Sequence, residues 1–314
     1  MEKNVNLKKI KRKTIIDKLI RYLFMAVAIL CACIIVFLAC FILIKGITPF
    51  IKSYQIDGQT YQVNFFDFLT GFTWKSGVGD YGVGYIIIDT ILVTLLSLVI
   101  AVPISILSAL FISKIAPKGI AKVLNSVIEL LSSIPSVIYG LFGVGVITTF
   151  VKKLSEMIGY QSAGGMSMLS ASIVLAIMIL PTITLLSITA LNTVNNSLIN
   201  GSLALGASKT QTNFKVVLTS AKSGIFSGII LGVGRALGEA TAVSLVCGNA
   251  GSGPTFNPFD ITKTLTSTML QGINETSGLD YDIRFSVGII LIVIIFLTNF
   301  GLNVIKNRIG KKNG

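Results

Sequence analysis

The chain has 314 residues, of which 53% are hydrophobic and only 12% charged, and its formal net charge is +13. Soluble domains carry about 25% charged residues, so this composition excludes an ordinary soluble protein and predicts an all-α integral membrane protein. The chain contains no histidine, which argues against zinc chemistry. Its positive charges flank apolar runs, so they do not indicate nucleic-acid binding.

The beginning of the chain predicts one membrane anchor. Residues 1–21 form a basic tail, and residues 22–44 form an uncharged run that can cross the hydrocarbon core, since a crossing takes about 20 residues. A signal peptide is the alternative, but the run is too long and no A-x-A cleavage site follows it. Residues 45–80 are polar and aromatic and predict an extracytoplasmic segment.

Residues 81–305 predict a core of five further membrane-spanning helices. Between the last three of these lie a polar stretch at 192–222 and a Gly-rich, acidic loop at 248–284, and a basic tail at 306–314 ends the chain. The apolar runs cover residues 81–113, 123–151, 166–191, 224–246 and 285–304.

The four cysteines predict neither redox nor metal chemistry. All of them lie inside apolar runs, at Cys31, Cys33, Cys40 and Cys247. A free thiol in such a setting behaves as a small hydrophobic group, so we interpret them as packing thiols rather than as disulfides or metal ligands.

The distribution of positive charge predicts which side of the membrane each loop faces. Six spans place both termini on the same side. If that side is cytoplasmic, 18 Lys and Arg residues fall in the inner segments and seven in the outer segments. By the positive-inside rule, both termini and the 192–222 stretch are predicted to be cytoplasmic, and the 248–284 loop extracytoplasmic.

Two charges, Arg235 and Glu239, stand inside the fifth apolar run. They are four residues apart, so on a continuous helix over 224–246 they would share a face. Arg235 follows Lys222 by 13 residues, which is about 20 Å of helical rise and reaches the middle of the membrane. One interpretation is an internal ion pair that orders packing. The interpretation we favour is a polar pathway, because a guanidinium matches an oxyanion. Small residues that allow close helix approach or leave room for a solute surround the pair: Gly232, Gly234, Ala236, Gly238, Ala240 and Ala242.

The third run carries Glu129 and the motif IPSVIYG at 134–140. We interpret Glu129 as an interfacial carboxylate near the start of a helix, and Asp89, at the outer end of the second run, as interfacial too. Pro135 predicts either a simple kink or a break that frees backbone groups to hold a small ion. With Ser136, Pro135 is assigned to the predicted pathway.

The polar stretch 192–222 predicts an αα-hairpin that turns at Gly206. Its apolar side chains are Leu198, Leu203, Leu205, Phe214, Val216, Val217 and Leu218. The other cytoplasmic segments are too short to cover them, which predicts docking into a groove of a partner. A surface helix that lies on lipid headgroups is the alternative.

This hairpin resembles the EAA loop of ABC importer permeases, in which E-A-A-x3-G precedes a hydrophobic stretch and L-P. The Gly206 core matches the pattern, whereas Asn200 replaces the leading glutamate and Thr219 the closing proline, so a salt bridge of that glutamate is not carried over. The matching residues assigned to ATPase coupling are Asn200, Gly201, Ser202, Ala204, Gly206 and Ala207.

Four further motifs resemble the PstC-type permease of the phosphate ABC importer, and the resemblance extends over residues 65–305. They are FLTGFTW at 68–74, IELLSSIPSVIYGLFG at 128–143, AIMILPTIT at 176–184 and GRALGEATAV at 234–243. The resemblance implies a type-I ABC importer permease fold with six transmembrane helices, in a bacterial cell membrane, that moves inorganic phosphate inward. Arg235 and Glu239 match the arginine and glutamate that act in transport in this family.

The resemblance also implies partners. They are a second, PstA-like permease subunit, two ATPase subunits that dock on the hairpins, and an extracytoplasmic phosphate-binding protein. The chain lacks the G-x4-G-K-[ST] motif of ATPases. It is therefore expected to be a transport subunit rather than an enzyme and to hold no cofactor, with ATP and Mg²⁺ bound by the partner ATPase.

Three alternatives remain. The first is a permease of the same class for another oxyanion, such as sulfate or molybdate, and the second is an ATP-independent carrier or channel. The third is a membrane scaffold or sensor that transports nothing. Importing an anion against a negative interior costs about 2.3 kcal/mol per charge per 100 mV, which favours a motor. The spans offer few titratable groups for a proton relay, namely Asp89, Glu129 and Glu239.

Overall fold

A computed structural model describes residues 2–56 and 58–311. In this part of the chain, six helices are long and apolar enough to cross a membrane, as predicted. The end of the predicted basic tail, residues 312–314, lies outside the described residues. The six candidate spans are Lys13–Ile51, Gly84–Ile115, Ser136–Met157, Met168–Asn192, Lys209–Gly238 and Leu279–Arg308.

The segment between the first two spans folds into a small cap. Helix α1 (Glu2–Ile51) extends beyond the predicted 22–44 run. It leads into two short antiparallel hairpins with one helix between them. The aromatic residues of this segment explain the cap, because Phe68, Trp74 and Tyr81 are buried in one cluster with Tyr85 and Ile283. The elements are β1 (Tyr54–Ile56), β2 (Gln59–Tyr61), α2 (Phe65–Thr70), β3 (Trp74–Lys75) and β4 (Asp80–Tyr81).

Three helices form the centre of the protein: α3 (Gly84–Leu110), α7 (Met168–Asn192) and α10 (Leu218–Gly238). Helix α3 continues through a π-helical turn, Phe111–Ile115. Glycines at every fourth position let α10 approach α7 closely. A Cβ atom at Gly224 would lie 2.5 Å from Cβ of Ala190, and one at Gly232 would lie 2.8 Å from the Ile183 side chain.

The predicted third span, Val123–Val151, is wrong at its start. The chain forms an amphipathic helix, α4 (Lys118–Ser133), and then a separate spanning unit that begins at Ser136. Pro135 has no N–H group and blocks helix continuation, and both Ile134 and Pro135 have extended backbone, with ψ of 129° and 141°. The proline therefore makes a break rather than a kink. The spanning unit consists of α5 (Ser136–Phe142), a π-helical stretch (Gly143–Ile147) and α6 (Thr148–Met157).

The predicted helix over 224–246 is also interrupted. Helix α10 ends at Gly238, Glu239 is extended with φ −77° and ψ 117°, and α11 (Thr241–Val246) begins afresh. Glycine is a poor helix former, and the Glu239 carboxylate accepts a hydrogen bond from the Ala242 N–H at 3.0 Å. This contact satisfies a donor at the start of α11 and stabilises the break.

Part of the predicted outer loop 248–284 returns into the protein. Its helix α12 (Leu265–Leu270) starts at a Thr264 cap, and residues 262–268 are all buried. Asp89, which the sequence placed at the interface, is fully buried beneath this loop. Its carboxylate accepts from the Thr262 hydroxyl at 2.8 Å and from the Thr255 N–H at 3.2 Å. The carboxylate therefore anchors the loop to α3, and its position at the membrane interface stays a prediction.

The C-terminal end of the first span is joined to the N-terminal end of the last helix, α13 (Leu279–Lys311). Lys45 Nζ lies 3.2 Å from the Asp282 carboxylate, and the Tyr54 hydroxyl donates to the same carboxylate at 2.7 Å. Residues 13–41 of α1 are exposed, and they include Cys31, Cys33 and Cys40, whereas Cys247 is buried. None of the four cysteines forms a disulfide.

Candidate functional site

Arg235 lies in the last turn of α10 and is half-buried. One of its terminal nitrogens donates a hydrogen bond to the Thr182 hydroxyl at 2.8 Å. Thr182 belongs to α7 and directly follows Pro181. The guanidinium is therefore held by a neutral group on a neighbouring helix.

Glu239 does not form an ion pair with Arg235. Among the residues whose side chains the structure describes, 13–55, 58 and 60–308, the ion pairs are Lys45–Asp282 and Lys152–Glu156. Because α10 ends at Gly238, the two side chains do not share the face of one helix, and the carboxylate instead accepts from the Ala242 N–H. The prediction of a shared face is wrong, and the internal ion pair of the packing interpretation is not present in this structure.

Tyr139 of the IPSVIYG motif is buried, and the charge of Arg235 acts on it electrostatically. The Tyr139 hydroxyl donates to the Leu131 carbonyl at 2.6 Å and so bridges the break at Pro135. Pro135 is exposed and Ser136 is half-buried at the start of α5. The motif thus joins α5 to the end of α4 through its tyrosine.

Helix α5 brings the IPSVIYG motif against α11. A Cβ atom at Gly140 would lie 3.0 Å from Cα of Ala242, so the absence of a side chain at Gly140 permits this contact. The segments that carry Tyr139, Thr182, Arg235 and Glu239 therefore converge on one region of the protein.

The small residues near Arg235 have two different roles. Gly232 packs against Ile183, whereas a Cβ atom at Gly234 or Gly238 would meet no atom within 4 Å. Ala236 and Ala242 are buried. The close helix approach is thus confirmed at Gly232, and the space at Gly234 and Gly238 is open. Room for a solute there stays a prediction.

The hairpin has the predicted glycine turn. Helices α8 (Asn196–Ala204) and α9 (Lys209–Gln211) are joined at Gly206, whose φ of +85° suits a glycine. The Ser202 and Thr212 hydroxyls lie 3.0 Å apart and connect its two arms. A π-helical turn, Thr212–Val217, leads directly into α10, so the hairpin is continuous with the helix that carries Arg235.

The predicted coupling residues lie on an open surface. Asn200, Gly201, Ala204 and Gly206 are exposed, and Ser202 and Ala207 are half-buried. The Leu205 side chain is 91% exposed. A groove of about 540 Å³ adjoins the hairpin, lined by Thr193, Val194, Asn195, Leu198, Thr219 and Ser220.

Sequence reasoning did not single out Tyr139 and Thr182, which the structure brings into this region, or the buried cations Lys263 and Arg284 elsewhere in the protein. The first two lie inside quoted motifs, so the motif wording was a usable signal. Lys263 stands in a run of hydroxyl residues, TKTLTST at 262–268, which is unusual for a loop that becomes buried. Within the described residues, no group of three His, Cys, Asp or Glu side chains could hold a metal ion.

Comparison with known proteins identifies the family. The model described as "Binding-protein-dependent transport system inner membrane component" matches residues 87–312. The chain is 37% identical over 261 residues to the probable ABC transporter permease protein YqgH of Bacillus subtilis, covering 82% of this chain and 80% of that protein. It is 34% identical over 263 residues to the phosphate transport system permease protein PstC of Pasteurella multocida, covering 79% and 82%.

Solved structures show the same fold. A bacterial alginate ABC transporter, in complex with an alginate pentasaccharide-bound periplasmic protein, matches with a TM-score of 0.61, 18% identity and coverage of 91% of this chain and 95% of that chain. The inward-facing methionine transporter MetNI matches with a TM-score of 0.53, 18% identity and coverage of 73% and 94%. The predicted type-I ABC importer fold and the resemblance to PstC permeases are thus confirmed. The chain belongs to the family of binding-protein-dependent transport system inner membrane components, the permeases of ABC importers.

Proposed function

We propose that this permease moves inorganic phosphate into the cell in an ATP-driven importer. The observation that carries the proposal is Arg235, a half-buried guanidinium at the end of α10 that has a neutral partner in Thr182 and open space beside Gly234 and Gly238. Relatives named as phosphate transport permeases support the choice of solute.

The chemistry of Arg235 suits a transient phosphate site. A planar guanidinium matches two oxygens of a phosphate at once. The Thr182 hydroxyl orients the guanidinium. Glu239 does not neutralise it, because the Glu239 carboxylate caps α11. Phosphate would replace one neutral hydrogen bond rather than break an ion pair, so both its entry and its release would cost little.

The proposal includes an assembly, which the exposed hairpin and the resemblance to PstC-type permeases support. Two partner ATPases bind the hairpins around Gly206, and they alone bind ATP and Mg²⁺. A second, PstA-like permease completes the pathway, and an extracytoplasmic binding protein delivers phosphate to the outer side. Both termini are cytoplasmic. A push on the hairpin would reach Arg235 through the π-helical turn at Thr212–Val217 and α10.

The competing function is transport of another oxyanion. Solved structures of this fold belong to methionine and alginate transporters, so the fold itself does not choose the solute. We would measure uptake of labelled phosphate into vesicles that hold this chain, its partner permease, the ATPase and the binding protein. We expect ATP-dependent uptake that sulfate does not suppress. Uptake of sulfate or molybdate but not of phosphate would contradict the proposal, as would phosphate uptake that needs no ATP.

Replacement of Thr182 tests whether it positions Arg235. We expect Thr182→Val to slow phosphate uptake about fivefold, because a neutral hydrogen bond contributes about 1 kcal/mol and its loss frees the guanidinium from its orientation. Thr182→Ser keeps the hydroxyl and should retain most of the rate. Initial uptake rates at several phosphate concentrations would measure both variants, and equal rates for valine and serine would show that the hydrogen bond has no role.

Gly206 tests the coupling role of the hairpin. We expect Gly206→Val to uncouple ATP hydrolysis from uptake, because φ of +85° costs an L-residue with a side chain on the order of 1–2 kcal/mol and the turn would rearrange. Gly206→Asn is the matched control, since asparagine tolerates this conformation better. Phosphate transported per ATP hydrolysed would be the measurement. Unchanged coupling in the valine variant would remove the hairpin turn from the mechanism.

A further inference from the structure

The side chain of Thr266 connects the 248–284 loop to the helix break beside Arg235. Thr266 lies in α12 and is 4% exposed. Its hydroxyl donates a hydrogen bond to the Glu239 carbonyl at 2.7 Å, and Glu239 is the extended residue at which α10 ends. A helix end leaves carbonyls without partners inside the helix, so the Thr266 hydroxyl satisfies a group that the break exposes.

The part of the loop that carries Thr266 is fixed on α3. The Leu265 N–H donates to the Thr90 hydroxyl at 3.0 Å, and the Thr262 hydroxyl donates to the Asp89 carboxylate at 2.8 Å. Both acceptors are buried residues of α3. Because Leu265 directly precedes Thr266, the hydroxyl reaches the break from a support that is anchored on a different helix from the two that meet there.

Three polar groups of Glu239 contact three different elements. Its N–H group donates to the Ala236 carbonyl of α10 at 3.4 Å, and its carboxylate accepts from the Ala242 N–H of α11 at 3.0 Å. Both of these contacts lie within the chain segment that contains the break. The third contact, from Thr266 to the carbonyl, comes from a segment 27 residues away and therefore ties the break to the loop.

We propose that Thr266 is a positioning residue for transport, which holds the break at Glu239 and thereby the end of α10 that carries Arg235. This inference rests on the proposed function and adds the loop that carries Thr266 to the elements that shape the Arg235 site. Gly234 and Gly238, beside which the space is open, lie in the same last turn of α10. A shift of the break would therefore move both the guanidinium and the space beside it.

A hydroxyl suits this role because it donates a hydrogen bond without adding a charge. A cation at this position would compete with Arg235 for an anion, whereas a threonine holds the carbonyl and leaves the guanidinium as the charged group. The Thr264 hydroxyl lies 3.1 Å from the Thr266 hydroxyl and caps α12. Since Thr266 donates its own hydrogen to the Glu239 carbonyl, it accepts from Thr264, and this second contact orients the hydroxyl.

Thr266→Val tests this role, because valine has a similar shape and lacks the hydroxyl. We expect the maximal rate of phosphate uptake per assembled importer to fall about fivefold, the effect of one neutral hydrogen bond on a rate. The KM should not change, because the binding protein captures phosphate before it reaches Arg235. Thr266→Ser keeps the donor and should retain most of the rate.

Thr268→Val is the matched control. Thr268 is fully buried in the same helix, and its hydroxyl donates to the Thr264 carbonyl at 2.7 Å. This variant removes an equivalent hydroxyl but no contact with the break, so its rate per assembled importer should stay close to that of the wild type. Equal losses in the two valine variants would overturn the proposal. A loss of assembled importer with an unchanged rate per importer would make Thr266 a structural contact.

Hydrogen exchange in the assembled importer tests the geometry independently of the solute. We expect the amides of residues 239–246 to exchange faster in Thr266→Val than in the wild type, Thr266→Ser or Thr268→Val, because the break loses one of its three contacts. Unchanged exchange in Thr266→Val would overturn the proposal. If the wild type imports another oxyanion instead of phosphate and both measurements keep these differences, the proposed function fails and the role of Thr266 stands.

Discussion

Arg235→Ala is expected to lower phosphate uptake by about 10- to 100-fold, the effect of removing a charged hydrogen-bond donor from an anion. Assembly should be retained, because Arg235 makes its hydrogen bond to the neutral Thr182 hydroxyl and leaves no buried carboxylate unpaired when it is removed. Uptake by reconstituted vesicles, normalised to the amount of assembled importer, would measure the effect.

Two further variants separate the charge of Arg235 from its shape and its surroundings. Arg235→Lys keeps the charge but lacks the planar fork, so we expect an intermediate rate. Glu239→Gln keeps an oxygen that can accept from the Ala242 N–H, so α11 should remain capped and the complex should assemble. A loss of assembled complex in Arg235→Ala that parallels the loss of uptake would contradict a transport role and support a packing role.

The six spans could be predicted because a membrane crossing depends on the length and hydropathy of a single segment. The two errors within these spans are the helix breaks at Pro135 and at Glu239, and only the first could be read from the sequence. Pro135 indicated a possible break, because proline cannot continue a helix. The break at Glu239 depends on a side chain that caps the next helix, and an acidic residue four positions after an arginine equally suits a continuous helix.

The candidate site could be predicted only where a single residue stands out in its own segment. Arg235 was visible because a charge in an apolar run needs an explanation, and the hairpin turn was visible because of Gly206. Thr182 was not visible, because it lies 53 residues from Arg235 and becomes its partner only when α7 packs on α10. Lys263 looked like an ordinary loop lysine, since its burial depends on Trp74 and on the anchoring of its loop by Asp89.

The stability of the protein is expected to report the cost of burying Lys263. A shift of its pKa from 10.5 to about 8 corresponds to roughly 3 kcal/mol, and the Trp74 ring offsets about 1–2 kcal/mol of this cost. We therefore expect Lys263→Met to be more stable than the wild type by about 1–2 kcal/mol at pH 7. Lys52→Met, which loses a similar ring contact at an exposed position, should not gain stability.

The stability difference between Lys263→Met and the wild type is expected to depend on pH. The unfolded chain holds the Lys263 proton up to about pH 10.5, whereas the folded chain releases it near pH 8. Between these values the unfolded state binds more protons, so the stability of the wild type rises with pH relative to the variant. The advantage of Lys263→Met should thus be full below pH 8 and disappear by pH 10.5. Unfolding in detergent at pH 7 and pH 10.5 would measure it, and an advantage that does not change with pH would show that the buried charge is not its cause.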